Sequence, residues 1–329
     1  MTNTWTSRSA AQAITWKAVA WNGTVWCAVA NTGTNRCMTS SDGITWTTRT
    51  PATDSDWRSI AWNGTVFCAV GVGGLNVQPP VMTSPDGITW TSRTAPFTTD
   101  PDLSYFMTDI AWNGTVFCAV GYSDFGGGFN DGECMTSSDG ITWTNRTGFG
   151  TASTGITTKR DIRLAWCSGA SKFIAVPKNG GTSLVTSADG ATWTQRTCQD
   201  LGLDSDTLDV AGNASVAVIV GDFGVQSSTD GITWTSRTEA AANDWNAVEW
   251  NGSQFAAVSI TGVGDRVMVS ADGITWTSET SAADNTWEGI ESNGALRWAA
   301  VASDGTDQVM TGDSPNQPIA LCGFLAATL

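Results

Sequence analysis

Ser40-Ser41-Asp42-Gly43-Ile44-Thr45-Trp46-Thr47-Thr48-Arg49-Thr50 decides the fold, because it recurs. It returns as SPDGITWTSRT from Ser84, SSDGITWTNRT from Ser137, SADGATWTQRT from Ser187, STDGITWTSRT from Ser228 and SADGITWTSET from Ser270, six complete copies in all. A second element alternates with it. It reads AWNGTVWCAVA from Ala20 and AWNGTVFCAVG from Ala61 and again from Ala111, then diverges to AWCSGASKFIAV (Ala165), AGNASVAVIVG (Ala211), EWNGSQFAAVS (Glu249) and ESNGALRWAAV (Glu291). Self-similarity at a period of roughly 40–50 residues marks a repeat architecture in which one supersecondary unit is copied.

The count of seven against six is informative. After the seventh AWNG-type element the chain continues VMTGDSPNQPIA and the TWTSRT strand never follows, whereas Asn3-Thr4-Trp5-Thr6-Ser7-Arg8 matches ITWTSR and precedes the first element. A ring whose last blade takes its final strand from the N-terminus explains both facts, while an open solenoid would need capping repeats. The expected fold is therefore all-β: a seven-bladed β-propeller of four-stranded antiparallel blades, closed by the N-terminal strand. The expected divisions are a closing strand at 1–10, blades at 16–50, 57–94, 106–147, 161–197, 207–238, 245–280 and 287–313, and a C-terminal tail at 314–329.

Within the first unit the pattern predicts strands over Lys17 to Trp21, Thr24 to Ala30, about Arg36 to Ser40, and Thr45 to Thr50. Asn22-Gly23 is read as the two central residues of a tight hairpin turn, both at positive φ. The fourth strand carries polar Thr and Arg on an outer edge, which discourages edge-to-edge association.

Composition narrows the function. The chain has 329 residues, 36 Gly and 18 Trp, with 16 basic against 31 acidic side chains, a net charge of −15 and no histidine. So acidic a surface disfavours nucleic acid and anionic membranes. The missing His removes His-based triads, imidazole ligands and a His proton switch. Met1 to Arg8 lacks the pattern of a signal peptide, and no apolar run approaches the roughly 20 residues of a transmembrane helix, so synthesis in a reducing cytosol and no membrane insertion are expected. Eight Cys are present; Cys27, Cys68 and Cys118 share one repeat position, and Cys37 and Cys134 another. They read as small buried hydrophobes rather than disulfides, although a cross-strand bridge is conceivable where one blade holds both.

The turn Ser40-Ser41-Asp42-Gly43-Ile44-Thr45-Trp46 and its five relatives resemble the Asp-box motif of sialidases and many other β-propeller proteins, with Asp and Gly contiguous here. The resemblance implies a folding device away from any active face. Asp42, Asp86, Asp139, Asp189, Asp230 and Asp272 would accept backbone N–H groups of the turn, and Trp46, Trp90, Trp143, Trp193, Trp234, Trp276 and, in the composite blade, Trp5 would pack between blades. Sialidases of this fold resemble one another in using three arginines, a Tyr-Glu pair and an Asp. Here six of twelve Arg (Arg8, Arg49, Arg93, Arg146, Arg196, Arg237) occupy one outer-strand position and the only tyrosines are Tyr105 and Tyr122, so that activity is not expected.

A glycosidase needs two carboxylates, for which Asp109, Asp161, Asp209, Glu249 and Glu291 on or beside the innermost strands are the candidates; they differ from blade to blade without pairing logic. Neither Asp124 to Glu133 nor Asp200, Asp204 and Asp206 follows a calcium-loop spacing, and no metal or cofactor is expected. The remaining candidates are loop aromatics expected to be exposed, Phe97, Tyr105, Tyr122, Phe125, Phe129 and Phe149, with Tyr105, Tyr122, Phe125, Phe129 and Asp131 forming the ligand-binding set. DGITWTSRT with AWNGTVFCAVG also resembles propeller domains in tail-associated and other structural proteins of bacteriophages. That resemblance implies a non-enzymatic virion component, made in the host cytoplasm, whose partners are other virion proteins or a host surface glycan or protein, with oligomerisation through assembly. The alternatives are a purely structural subunit and a glycoside hydrolase.

Overall fold

The structure is a computed structural model that describes residues 2–75, 77–97, 102–125, 129–146, 149, 161–178, 181–199, 208–294 and 297–313. Among these residues every regular element is a strand. Each AWNG-type element opens an antiparallel sheet whose strands pair in chain order. The first sheet joins Trp16–Trp21, Trp26–Ala30, Cys37–Ser40 and Thr47–Arg49. Four other repeats form separate four-stranded sheets, and the second and third are fused into one eight-stranded sheet. The fusion was not expected. It arises because the inserts lengthen Phe67–Leu75 and Leu103–Trp112 beyond the repeat, so that Ser104 lies opposite Leu75 and Phe106 opposite Val72.

The final sheet has the strand order Thr4–Arg8, Val309–Asp313, Arg297–Ala302, Trp287–Ser292. The N-terminal segment pairs antiparallel with the last strand, Trp5 opposite Gly312 and Arg8 opposite Val309. The seven first strands pack against one another in chain order, and Trp287–Ser292 packs against Trp16–Trp21. Apolar side chains gather in the seams between neighbouring sheets. Trp16, Trp26 and Trp46 of the first repeat cluster with Ala299, Val301 and Val309 of the last, and Trp5 clusters with Val258 and Val267 on one side and Trp298 and Met310 on the other. Trp5 therefore holds in its sheet the place that Trp46 holds in the first.

Two turns set this geometry. In the hairpin, Asn22 is not a central residue, which corrects the expectation. It is the first residue of the turn, its amide donating to Val25 O, while its Oδ1 accepts from the amides of Thr24 (2.9 Å) and Val25 (2.7 Å). Only Gly23 takes a positive φ, 97°. A short polar side chain thus substitutes for backbone partners while glycine alone carries the left-handed dihedral. In the Asp box, Ser40 Oγ donates to Asp42 Oδ1 (2.8 Å) and accepts from Gly43 N (2.8 Å), and Asp42 Oδ1 accepts from Ile44 N and Thr45 N (2.7 and 2.8 Å). Trp46 Nε1 then donates to Gly43 O (3.1 Å). The same Ser and Asp bonds recur at Asp86, Asp139, Asp189, Asp230 and Asp272. Asp86 is held below the ordinary carboxylate range, by the amide of Thr89 above all, against a burial penalty that the Ile88 amide and the Ser84 hydroxyl further offset.

The sixth repeat departs from the pattern where the N-terminal strand docks. Arg49, Arg93, Arg146, Arg196 and Arg237 each donate Nε to a Thr or Ser hydroxyl on the third strand of their own sheet. The sixth repeat has Val269 in place of that hydroxyl and Glu279 in place of the arginine. Trp5 has no Asp box before it and so no turn carbonyl for its indole. Its Nε1 donates instead to Glu279 Oε2 at 2.7 Å, and Asn3 donates its amide to Glu279 Oε1 at 2.7 Å and its Nδ2 to Oε2 at 3.0 Å. Glu279 is 4 % exposed. Removing the carboxylate strands buried donors, each costing about 1–3 kcal/mol. Glu279→Ala should therefore lower unfolding free energy by about 2–4 kcal/mol in urea titration. Arg196→Ala, at the corresponding place in a repeat with no strand to receive, should cost under about 1 kcal/mol.

Candidate functional site

Antiparallel order puts the start of every first strand on the side of the loops that join strands two to three and four to one. Its end lies on the side of the Asn turns and Asp boxes. The seven first strands line an axial channel of about 340 Å³. Its wall is built from a repeated small-residue position, Ala20, Ala61, Ala111, Ala165 and Ala211, which becomes Glu249 and Glu291 in the last two repeats. Two residues earlier the same strands carry Ala18, Ser59, Asp109, Arg163, Asp209, Ala247 and Gly289. The seven first strands are alike in backbone and strongly varied in charge.

At the loop side the channel opens beside a smaller cavity of about 50 Å³ lined by Lys17, Arg58, Thr108, Asp161, Arg163, Lys178 and Glu288. Lys17 pairs with Glu288 at 2.7 Å, Arg58 with Asp56 at 2.7 Å, and Lys178 with Asp161 at 3.6 Å. The Nε of Arg58 and of Arg163 are buried without a hydrogen-bond partner among the described residues. Burial pushes Lys178 below its usual range, and the nearby Arg163 adds to that against the pull of Asp161 and Glu288. Burial alone would raise Asp161, yet Lys178, Arg163, Arg58 and Lys17 together hold it below the ordinary carboxylate range. Four of the chain's 16 cations thus meet at one mouth of a molecule with net charge −15.

Deeper in the channel the acids behave differently. Asp109 accepts from Ser59 Oγ (2.6 Å), Ile110 N (2.8 Å) and Leu164 N (2.8 Å), and Asp209 accepts from Val248 N (2.9 Å), so each ties its strand to the next. Burial raises Asp109 despite Arg163. Burial also lifts Asp209 to about 7, with Asp109 adding to it, and Glu249 to about 7, with Asp209 adding to it. Glu291 is raised by burial and by Glu249. Among the described residues no group of three or more His, Cys, Asp or Glu is placed to hold a metal ion.

The loop aromatics fare differently from expectation. Tyr105, Phe97 and Phe149 are buried at 6 %, 3 % and 0 %, so none is an exposed ligand platform. Tyr105 stacks on Phe97 with ring centroids 4.8 Å apart, and Phe149 packs edge-on to Trp193. They are apolar inserts that roof the seams. Tyr122 is half-buried and stacks on Phe106 at 4.7 Å. Phe125 pairs with Phe129 and Ser123 with Asp131 along the strands, but the side chains of Phe125, Phe129 and Asp131 lie outside the described residues, as do Asp200, Asp204 and Asp206. All five acids read from the innermost strands border the channel or its mouth. Lys17, Arg58, Arg163 and Lys178 were not read as a site. The signal for the first three was that charge of both signs varies from repeat to repeat at two first-strand positions, Lys17, Arg58 and Glu288 at one and Asp109, Arg163 and Asp209 at the other.

The fold defines the chain as a β-propeller. It superposes on YCF48 bound to a D1 peptide with a TM-score of 0.61 at 16% identity, covering 94% of this chain and 96% of that one. It superposes on the WD40 propeller domain of Doa1 with a TM-score of 0.59 at 10% identity, covering 96% and 98%. A Penicillium chrysogenum alpha-L-arabinanase complexed with arabinobiose gives 0.50 at 8% identity, covering 95% and 98%. At these identities the likeness is one of fold alone. No family model and no curated protein matches the sequence.

The channel acids make a pH prediction. A carboxyl whose folded-state pKa is raised binds its proton more tightly folded than unfolded, so the stability it contributes is present below about pH 4 and lost as pH rises toward 7. Box carboxylates held low act oppositely, losing stability as pH falls below about 4. Stability should therefore peak in mild acid, and the urea midpoint should fall between about pH 5 and 7. Asp209 and Glu249 border the channel rather than dry core, which limits each effect to about 1 kcal/mol. Asp209→Asn with Glu249→Gln should flatten that fall; a midpoint that rises from pH 5 to 7 would contradict it.

Proposed function

We propose that the chain is a seven-bladed propeller closed by its N-terminal strand, and that it works as a non-enzymatic binding and structural module whose loop face and channel mouth receive the partner. The observation that carries this reading is the buried, unpartnered Nε of Arg163 and Arg58 among converging cations at the loop-side mouth. An Nε without a partner leaves each guanidinium one donor to offer, and a carboxylate is the charge-assisted acceptor that suits it. Loops are where a rigid scaffold places recognition, and the mouth lies on the side of the loops that join strands two to three and four to one. That a propeller of the same fold is seen with a peptide bound supports a polypeptide partner. Within a virion, the setting implied by the repeat's wording, the partner is another virion protein or a host surface glycan or protein.

The test is binding of purified protein to arrays of acidic peptides with free C-terminal carboxylates and of acidic and neutral glycans. Binding to carboxylate-bearing probes should drop at least about tenfold in Arg163→Ala, roughly the worth of a charge-assisted hydrogen bond, and also in Arg163→Lys, which keeps a cation facing Asp109, Asp161 and Asp209 and so separates lost binding from lost stability. Binding indifferent to both Arg163→Ala and Arg58→Ala would sink the mouth as the site. A glycoside hydrolase is the second reading, favoured by the raised Asp209 and Glu249, since a carboxyl acid near 7 suits proton donation to a leaving group. Reducing-end release from oligosaccharides, abolished by Glu249→Gln, would establish it; none was expected from the sequence.

A further inference from the structure

Independent of any ligand, the structure carries paired thiols. Cys118 and Cys134, on the second and third strands of the third repeat, are buried at 0 % with their Sγ atoms 3.6 Å apart. Their register is diagonal: Cys118 lies opposite Thr136 and Cys134 opposite Val120, on one face of the sheet. The first repeat repeats the arrangement, with Cys27 opposite Thr39 and Cys37 opposite Val29, both buried at 0 %. The second repeat has Cys68 opposite Thr83 but Val81 where the partner would stand. Two blades therefore hold a dithiol and a third holds the same strand with a single thiol, an internal control.

The pairs sit in the seam under the Asp box of the following repeat. Cys134 Sγ donates to Gly190 O at 3.3 Å, and a Cβ on Gly190 would stand 3.2 Å from Cys118 Sγ. In the first repeat a Cβ on Gly87 would meet Cys27 Sγ at 3.4 Å. Burial raises the thiols of Cys118 and Cys27 well above their ordinary range, and each neighbouring Cys adds to it. So the thiolate is scarce while the box is seated, and reaction waits on local opening of that turn. A bond requires the sulfurs to close from 3.6 Å to about 2.05 Å and the Cβ–S–S–Cβ dihedral to turn to about 90°, which in this diagonal register takes side-chain rotation with a small shift of the two strands.

We propose that Cys118–Cys134 and Cys27–Cys37 are two oxidisable dithiols, each closing to a reversible disulfide within its own blade without disturbing the fold. With a peroxide, one thiolate attacks oxygen and releases hydroxide, leaving a sulfenic acid. The second thiolate then attacks that sulfur and expels the hydroxyl as water. Two thiols and one peroxide give one disulfide and two waters, and a dithiol reductant reverses the bond by exchange. A chain made under reducing conditions and later exposed to an oxidising medium would gain two staples, each closing a short loop.

The test is mild treatment of the folded full-length chain with hydrogen peroxide, followed by alkylation in denaturant and peptide mapping without reductant. Expected are cross-linked peptides joining Cys118 to Cys134 and Cys27 to Cys37, with Cys68 and Cys167 still alkylated, a higher melting temperature, and reversal of both by dithiothreitol. Cys134→Val, which copies the second repeat, should lose only the Cys118–Cys134 link. If that variant fails to fold, Cys118→Ala serves, because Ala256 and Ala299 occupy that place in later repeats. Alkylated or over-oxidised Cys118 and Cys134 without a link, or links joining them to Cys68 or Cys322, would overturn the proposal.

Discussion

The antiparallel pairing of Thr4–Arg8 with Val309–Asp313 is the contact on which the rest of the structure leans. A four-stranded sheet with one face open to water cannot bury its apolar side, and each sheet here solves that by packing on its neighbours, the seams holding the core. Among the described residues the last repeat supplies three strands of its sheet. Without the N-terminal strand it would lack Trp5, and the seam between the sixth and seventh repeats would lose an indole that lies between Val258 and Trp298 in one cluster. The polar side of that joint is equally specific: Glu279 gathers the donors of Asn3 and Trp5 that no Asp box provides for. Arg297 adds a second tie across the neighbouring seam, pairing with Asp313 while donating to the backbone of Asp42 in the first repeat.

Much of this was legible in the sequence because a repeat averages out local ambiguity. Six boxes and seven AWNG elements define a period that no single strand propensity could, and the match of Trp5 to the interblade tryptophans identified the displaced strand. What the repeat could not show was the meaning of its exceptions. SET in place of SRT is visible, but that Glu279 receives another strand's indole depends on the seam, a long-range contact. Likewise Asn-Gly was read from turn statistics as a two-residue loop, whereas the Asn side chain caps its own turn and leaves the positive φ to Gly23 alone.

The inserts were the least legible. Aromatics among Gly, Asn and Asp read as an exposed platform, yet Phe97, Tyr105 and Phe149 are buried. Nothing in a non-repeating insert says which way it folds, and apolar area of that size is worth several kcal/mol to the chain when it finds a seam to cover. The channel was half legible. Its acids were named from their position on the innermost strands, but its cations were missed because conserved-looking backbone drew attention to what repeats rather than to what differs. Among near-identical first strands the individuality sits at the charged positions facing the channel, where Lys17, Asp109, Arg163, Asp209, Glu249 and Glu288 break an otherwise small and apolar wall.

The most direct measurement of the closure is the melting temperature of a chain lacking Met1 to Ser9, compared with the full chain under the same conditions. A composite last blade predicts a sharp drop, by more than about 10 °C, since a strand, a buried indole and the partners of Glu279 are lost together. An unchanged melting temperature would contradict the account and point to an open or six-bladed arrangement.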